Sequence, residues 1–200
     1  MSAGEEPKAV RGRPPKNASA PRGPDDVLEA VLEAGARLFA ERGVGAVAVR
    51  EVASAAGVNA GLVHRYVGAK DDLVRAVMQR ISNELDQELQ GGSDPTYGDR
   101  HDETVDTYMR ILAHLILEGY ELERLDLDFP LMRFVVGRLA SEPGADSRDA
   151  RMRAICLIAL DVGWRLYEPL VAAGAGLDAG ERADARAAVD ATRRRLAAGA

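Results

Sequence analysis

At 200 residues the chain is long enough to bury a core, divided between one small and one larger module. One cysteine, Cys156, excludes an internal disulfide framework and fits a reducing cytoplasm, while no apolar run approaches the ~18 residues of a membrane span. The net charge of −6 is uneven: residues 1–80 hold 12 Lys/Arg against 10 Asp/Glu, and the remainder holds 14 against 22.

Residues 1–24 are rich in Pro, Gly, Ala and charge, with almost nothing to bury, which predicts a disordered basic arm. Within it, Arg11-Gly12-Arg13-Pro14 has the form of an AT-hook, in which Arg11 and Arg13 would enter an A·T minor groove. A solubilising tail has the same composition. A first helix is expected from Asp25 or Asp26, acids suited to the positive end of the helix dipole, to Arg42-Gly43. Its apolar stripe is Leu28, Val31, Leu32, Gly35, Leu38 and Phe39.

From Val49 to Lys70 the pattern is two short helices joined by a tight turn. Val49, Val52, Ala53 and Ala56 recur at helical spacing, and Gly57 supplies the positive φ that a helix end needs. Asn59 can cap the next helix, which places Leu62, Val63 and Tyr66 on its buried side. Ala60, Gly61, His64 and Arg65 then point outward. This is a helix-turn-helix, whose second helix enters the DNA major groove. The acidic excess lies outside it, where it discourages wrong-way docking on phosphates. Only Lys8, Lys16 and Lys70 are lysines, so a surface Arg alone argues weakly for nucleic acid.

A fourth helix runs from Lys70 through Leu73, Val74, Val77, Met78, Ile81 and Leu85 to Gly91-Gly92, and residues 91–100 form a loop. Helices follow at about Glu103–Glu118, Leu131–Leu139, Arg148–Ala172 and Ala179–Ala198, with a shorter element near Tyr120–Leu127. Pro169 is expected to bend or end its helix, because it removes the bond to the Arg165 carbonyl. No strand alternation appears, so the class is all-α.

The order Ala34…Leu38-Phe39, Gly43, Val49-Arg50-Glu51-Val52-Ala53, Ala56-Gly57-Val58, Gly61-Leu62-Val63 and Lys70…Leu73 resembles the N-terminal domain of the TetR family of bacterial transcriptional regulators. The resemblance covers about residues 25–80. It implies that Asn59, Ala60, Gly61, His64 and Arg65 face the groove. It also implies that Lys70 and the start of the fourth helix hold a phosphate, and that Arg50 reaches the DNA backbone. Three positions depart from the family pattern. Ala48 stands for the usual capping Thr, a cap worth ~0.5–2 kcal/mol, His64 for a Tyr and Val67 for a Phe.

Residues 25–70 thus form the DNA-binding domain, 71–90 a connecting helix, and 91–200 a helical sensing and dimerisation domain. In TetR-like proteins the later helices enclose a cavity. Here Tyr108, Leu112, Phe129, Met132, Phe134, Val135, Trp164 and Tyr167 are its candidate lining, suited to a small apolar or amphipathic effector. The last two helices are the candidate homodimer interface, which lets two recognition helices read a palindromic operator in double-stranded DNA.

Catalysis finds little support. His101, with Asp99, Asp102 and Glu103, could grip a metal but reads far better as a solvated acidic helix start, and Cys156 reads as a small core residue. No cofactor is expected. The function expected is a one-component transcriptional regulator, as a repressor. The alternative is a helical sensor that answers to a protein partner and binds DNA weakly or not at all.

Overall fold

The computed structural model describes residues 23–91 and 103–199, and these are all-α. Helix α1, Pro24–Arg42, starts one residue before the acids expected to open it. Pro24 takes the first position because it has no N–H to leave unpaired there, and Asp25 and Asp26 still occupy the first turn. Arg11 and Arg13 lie outside the described residues, as do Asp99, His101 and Asp102.

Helices α2, Val49–Ala55, and α3, Ala60–Tyr66, follow, then α4, Lys70–Gln90. The α1 side chains Val31 and Phe39 and the α4 side chains Leu73, Val74 and Val77 are wholly buried, which makes α1 and α4 the frame of the N-terminal half. Past the first three helices, α4 buries Met78, Ile81 and Leu85 in the same continuous core as the C-terminal half. One rigid element therefore belongs to both halves.

Helix α5, Glu103–Leu117, packs on α1 and α4 through Val105, Tyr108, Ile111 and Leu115. A single 3-10 turn, Leu122–Leu125, leads to α6, Pro130–Ala140. Arg75 of α4 grips this turn, donating from Nε to the Leu125 carbonyl and from Nη2 to that of Arg124, both at 3.3 Å.

Helix α7, Ser147–Ala175, begins at Asp146, whose Oδ1 accepts the N–H groups of Arg148 and Asp149 at 2.9 Å. Pro169 sits inside it without ending it. Helix α8, Ala179–Ala198, opens with a reciprocal cap between Asp178 and Glu181, each side chain accepting the other's N–H at 2.9 Å. The two helices pack along their length, yet α7 leaves Met152, Ile155, Tyr167, Leu170 and Val171 exposed. Cys156, expected in the core, is exposed on this same helix. No helix among the described residues is long and apolar enough to cross a membrane.

Candidate nucleic-acid interface and effector pocket

The α2–α3 unit is closed by its own backbone. Gly57 has φ +69°, which lets Val58 N–H reach the Ala53 carbonyl at 2.9 Å and Gly57 N–H reach that of Ser54 at 3.1 Å. This pairing satisfies carbonyls that the end of α2 would otherwise leave free. Val52, Ala53 and Val63 are fully buried at the crossing, where Ala53 leaves room for α3. Asn59 caps α3 as expected, its Oδ1 accepting Gly61 N–H at 2.8 Å.

The start of α2 is held differently. Ala48 offers no side-chain acceptor, but its own N–H donates to Glu51 Oε2 at 2.8 Å, and Arg42 pairs with Glu51 at 3.0 Å. The Ala48 N–H, and after it Arg42, hold the Glu51 carboxyl below the usual range. Half of the cap is therefore kept without the missing Thr.

Arg50, Asn59, Gly61, His64 and Arg65 are exposed, and Ala60 is half-buried. With its Nδ1 protonated, His64 donates to the Gly68 carbonyl at 3.1 Å and folds over the end of α3. The Arg65 guanidinium lies 5.7 Å from the centre of the Tyr66 ring, a cation–π contact. Tyr66 itself is 38% exposed, against the expectation that it is buried. The helix ends at Tyr66, so no further turn exists to cover the ring.

Lys70 Nζ donates to the Gly45 carbonyl at 3.3 Å, across the base of the unit. The Ala69 N–H just before α4 is already taken by Asp72 Oδ2 at 2.9 Å. A phosphate at this helix start therefore meets a carboxylate competitor, which the sequence reading did not anticipate.

In the C-terminal half, a cavity of about 360 Å³ opens between α5, α6 and α7. Five of the expected residues line it: Tyr108, Leu112, Phe129, Met132 and Tyr167. Phe134, Val135 and Trp164 do not. Val135 is in the core, and Trp164 lies on the α7 face that carries Asp161 and Glu168, which pair with Arg193 and Arg186 of α8. The reading missed Met109, Ile116, Ile158, Val162 and Leu166 among others. Their signal was present as repeats of four, 108/112/116 on α5 and 158/162/166 on α7.

No charged residue lines this cavity. The Tyr108 hydroxyl is already engaged, donating to the Asp128 carbonyl at 2.7 Å, and burial pushes its pKa up to about 12. A wider groove of about 970 Å³ between α1, α4 and α5 is lined by charges of both signs, including Glu33, Arg37, Arg80 and Glu84. Arg37 pairs there with Glu41, and Arg80 with Glu29 and Glu84. No group of three or more metal-ligating side chains occurs among the described residues.

The family model for bacterial regulatory proteins of the tetR family matches residues 31–77, from the middle of α1 into α4. The transcriptional repressor Rv3405c of Mycobacterium tuberculosis is 35% identical over 159 residues, which cover 79% of this chain and 82% of that protein. The chain belongs to the TetR family. The HTH-type transcriptional regulator BetI of Brucella anthropi is 39% identical over 59 residues, 30% of each chain. A TetR-family regulator from Streptomyces coelicolor has a TM-score of 0.55 at 19% identity, over 88% of this chain and 90% of that one. The fatty acid degradation regulator FadR of Bacillus halodurans has a TM-score of 0.56 at 15% identity, over 86% and 98%. At those identities the likeness is one of fold. As a TetR-family member the chain is a helix-turn-helix transcriptional regulator, and its named relatives are regulators rather than enzymes.

Proposed function

We propose that this regulator is a cytoplasmic repressor that binds a palindromic operator as a homodimer and is released by a small, uncharged, apolar molecule. The observation that carries the reading is that one chain carries an outward-facing α3 and an uncharged cavity, and that α4, the helix after α3, packs against the cavity's wall helices α5 and α6. Arg65, held over Tyr66, is the base reader, with His64, Asn59, Ala60 and Gly61 against the groove. Arg50 and Lys70 take phosphates, the latter by exchanging the Gly45 carbonyl for a phosphate oxygen. Arg11 and Arg13 are assigned to flanking minor groove. The exposed α7 side chains Met152, Ile155 and Leu170 supply the apolar face that dimerisation covers.

Repression is favoured over activation by the repressor among its relatives. A ligand releases DNA only if it binds the non-binding arrangement more tightly, because equal affinity for both shifts nothing. The cavity favours an uncharged occupant, since a buried ionic group would meet no counter-charge.

A matched pair of dyes tests this. N-phenyl-1-naphthylamine is expected to bind the protein at least about tenfold more tightly than its sulfonated analogue 1-anilinonaphthalene-8-sulfonate, and to weaken DNA binding. Leu112→Trp, which fills the cavity, abolishes both effects. Equal binding of the two dyes contradicts the uncharged class, and binding that survives Leu112→Trp contradicts the cavity.

A further inference from the structure

Helix α5 ends against the DNA-binding half of the chain. Ile116 and Leu117 line the uncharged cavity, and the next residue, Glu118, turns its carboxylate the other way, onto the loop between α1 and α2. There Oε2 accepts the N–H of Gly45 at 2.6 Å, a charge-assisted bond across 73 residues of sequence. The carbonyl of the same Gly45 accepts from Lys70 Nζ at 3.3 Å.

The loop is shaped for this contact. A Cβ on Gly43, whose φ is +86°, would collide with Glu118 Oε1 and lie 2.9 Å from His114 Nδ1. A Cβ on Gly45 would lie 3.1 Å from Glu118 Oε2. Two glycines thus make a notch that the Glu118 carboxylate fills. With its side chain 27% exposed, the bond is partly shielded from water. By Coulomb's law a carboxylate on this loop repels an approaching phosphate and so gives DNA binding no direct attraction. Its use is therefore mechanical.

We propose that Glu118 is a positioning residue for operator binding. From the effector half it fixes the Gly43–Gly45 loop and, through the Gly45 carbonyl, the starting position of Lys70. A ligand that shifts Ile116 and Leu117 pulls on Glu118, which gives the cavity a route to the DNA face besides α4. The proposal rests on the DNA-binding reading given above.

The test uses full-length protein and a duplex enriched from a random-sequence pool by the wild type. Glu118→Gln keeps an acceptor and removes the charge, so it should bind as tightly as wild type or more so. Glu118→Ala removes both, and should bind about tenfold more weakly. In hydrogen exchange the Gly45 amide should be protected in wild type and in Glu118→Gln, and fast in Glu118→Ala. Gly45→Ala, which crowds Oε2, should weaken wild type but not weaken Glu118→Ala further. Glu118→Ala binding as tightly as Glu118→Gln overturns the assignment, because charge alone then governs. If wild type enriches no duplex, the DNA-binding reading fails, and this proposal with it.

Discussion

Replacing Asp161 with alanine is expected to destabilise the protein by about 3–5 kcal/mol, the cost of breaking a buried ion network from one side. The Asp161 side chain is 10% exposed, with Oδ2 2.9 Å from Arg165 Nε and Oδ1 3.0 Å from Arg193 Nη2. Arg165 reaches on to Asp106 of α5, and Arg193 to Asp190 of α8 at 3.1 Å, so the network joins three helices. Burial works against the charge of Arg165, but Asp161 and Asp106 outweigh it and its pKa is raised. Arg193 is 10% exposed and its Nε has no hydrogen-bond partner, so it has little capacity to absorb the loss. At roughly 2–4 °C per kcal/mol for a domain of this size, a thermal scan should show a fall of roughly 6–20 °C. A fall below about 2 °C means that the carboxylate's attraction only offsets its desolvation.

The second large effect falls on DNA binding. Arg65→Ala should weaken binding to a selected duplex by about 1–3 kcal/mol, roughly 5- to 150-fold, as expected for loss of a base contact. The guanidinium is planar and lies over Tyr66, which restricts the directions its donors can take before DNA arrives. Arg65→Lys keeps the charge but loses the paired donors, and should recover only part of the affinity. Fluorescence anisotropy at fixed salt separates the three proteins. Arg65→Ala within about twofold of wild type would remove Arg65 as a reader.

What was legible in the sequence was local. The α2–α3 turn depends on Gly57 and Asn59, and both play the part their chemistry suggested, Gly57 at positive φ and Asn59 as the cap of α3. Tyr66 was misread because helical spacing places a residue on a face but does not say whether a neighbour covers it. The same difficulty explains the cavity. The α5 positions Tyr108 and Leu112 follow from periodicity, whereas Phe134, Val135 and Trp164 required knowing how α6 and α7 are rotated.

Pro169 leaves α7 continuous to Ala175, so the helix gives up one backbone bond there without ending. Cys156 read as core from its apolarity but is exposed on α7. The burial of Asp161 depends on Arg165 and Arg193 arriving together, which no local pattern announces. The contact of Glu118 with Gly45 leaves no local pattern at all.

The most direct test of the account is selection of duplexes from a random-sequence pool by the full-length protein, with the recovered sites aligned. The account predicts an inverted repeat bound by two protomers, with half-site centres about one helical turn, roughly 34 Å, or a multiple of it apart. Failure to enrich any sequence, or enrichment of a site without two-fold symmetry, would contradict it.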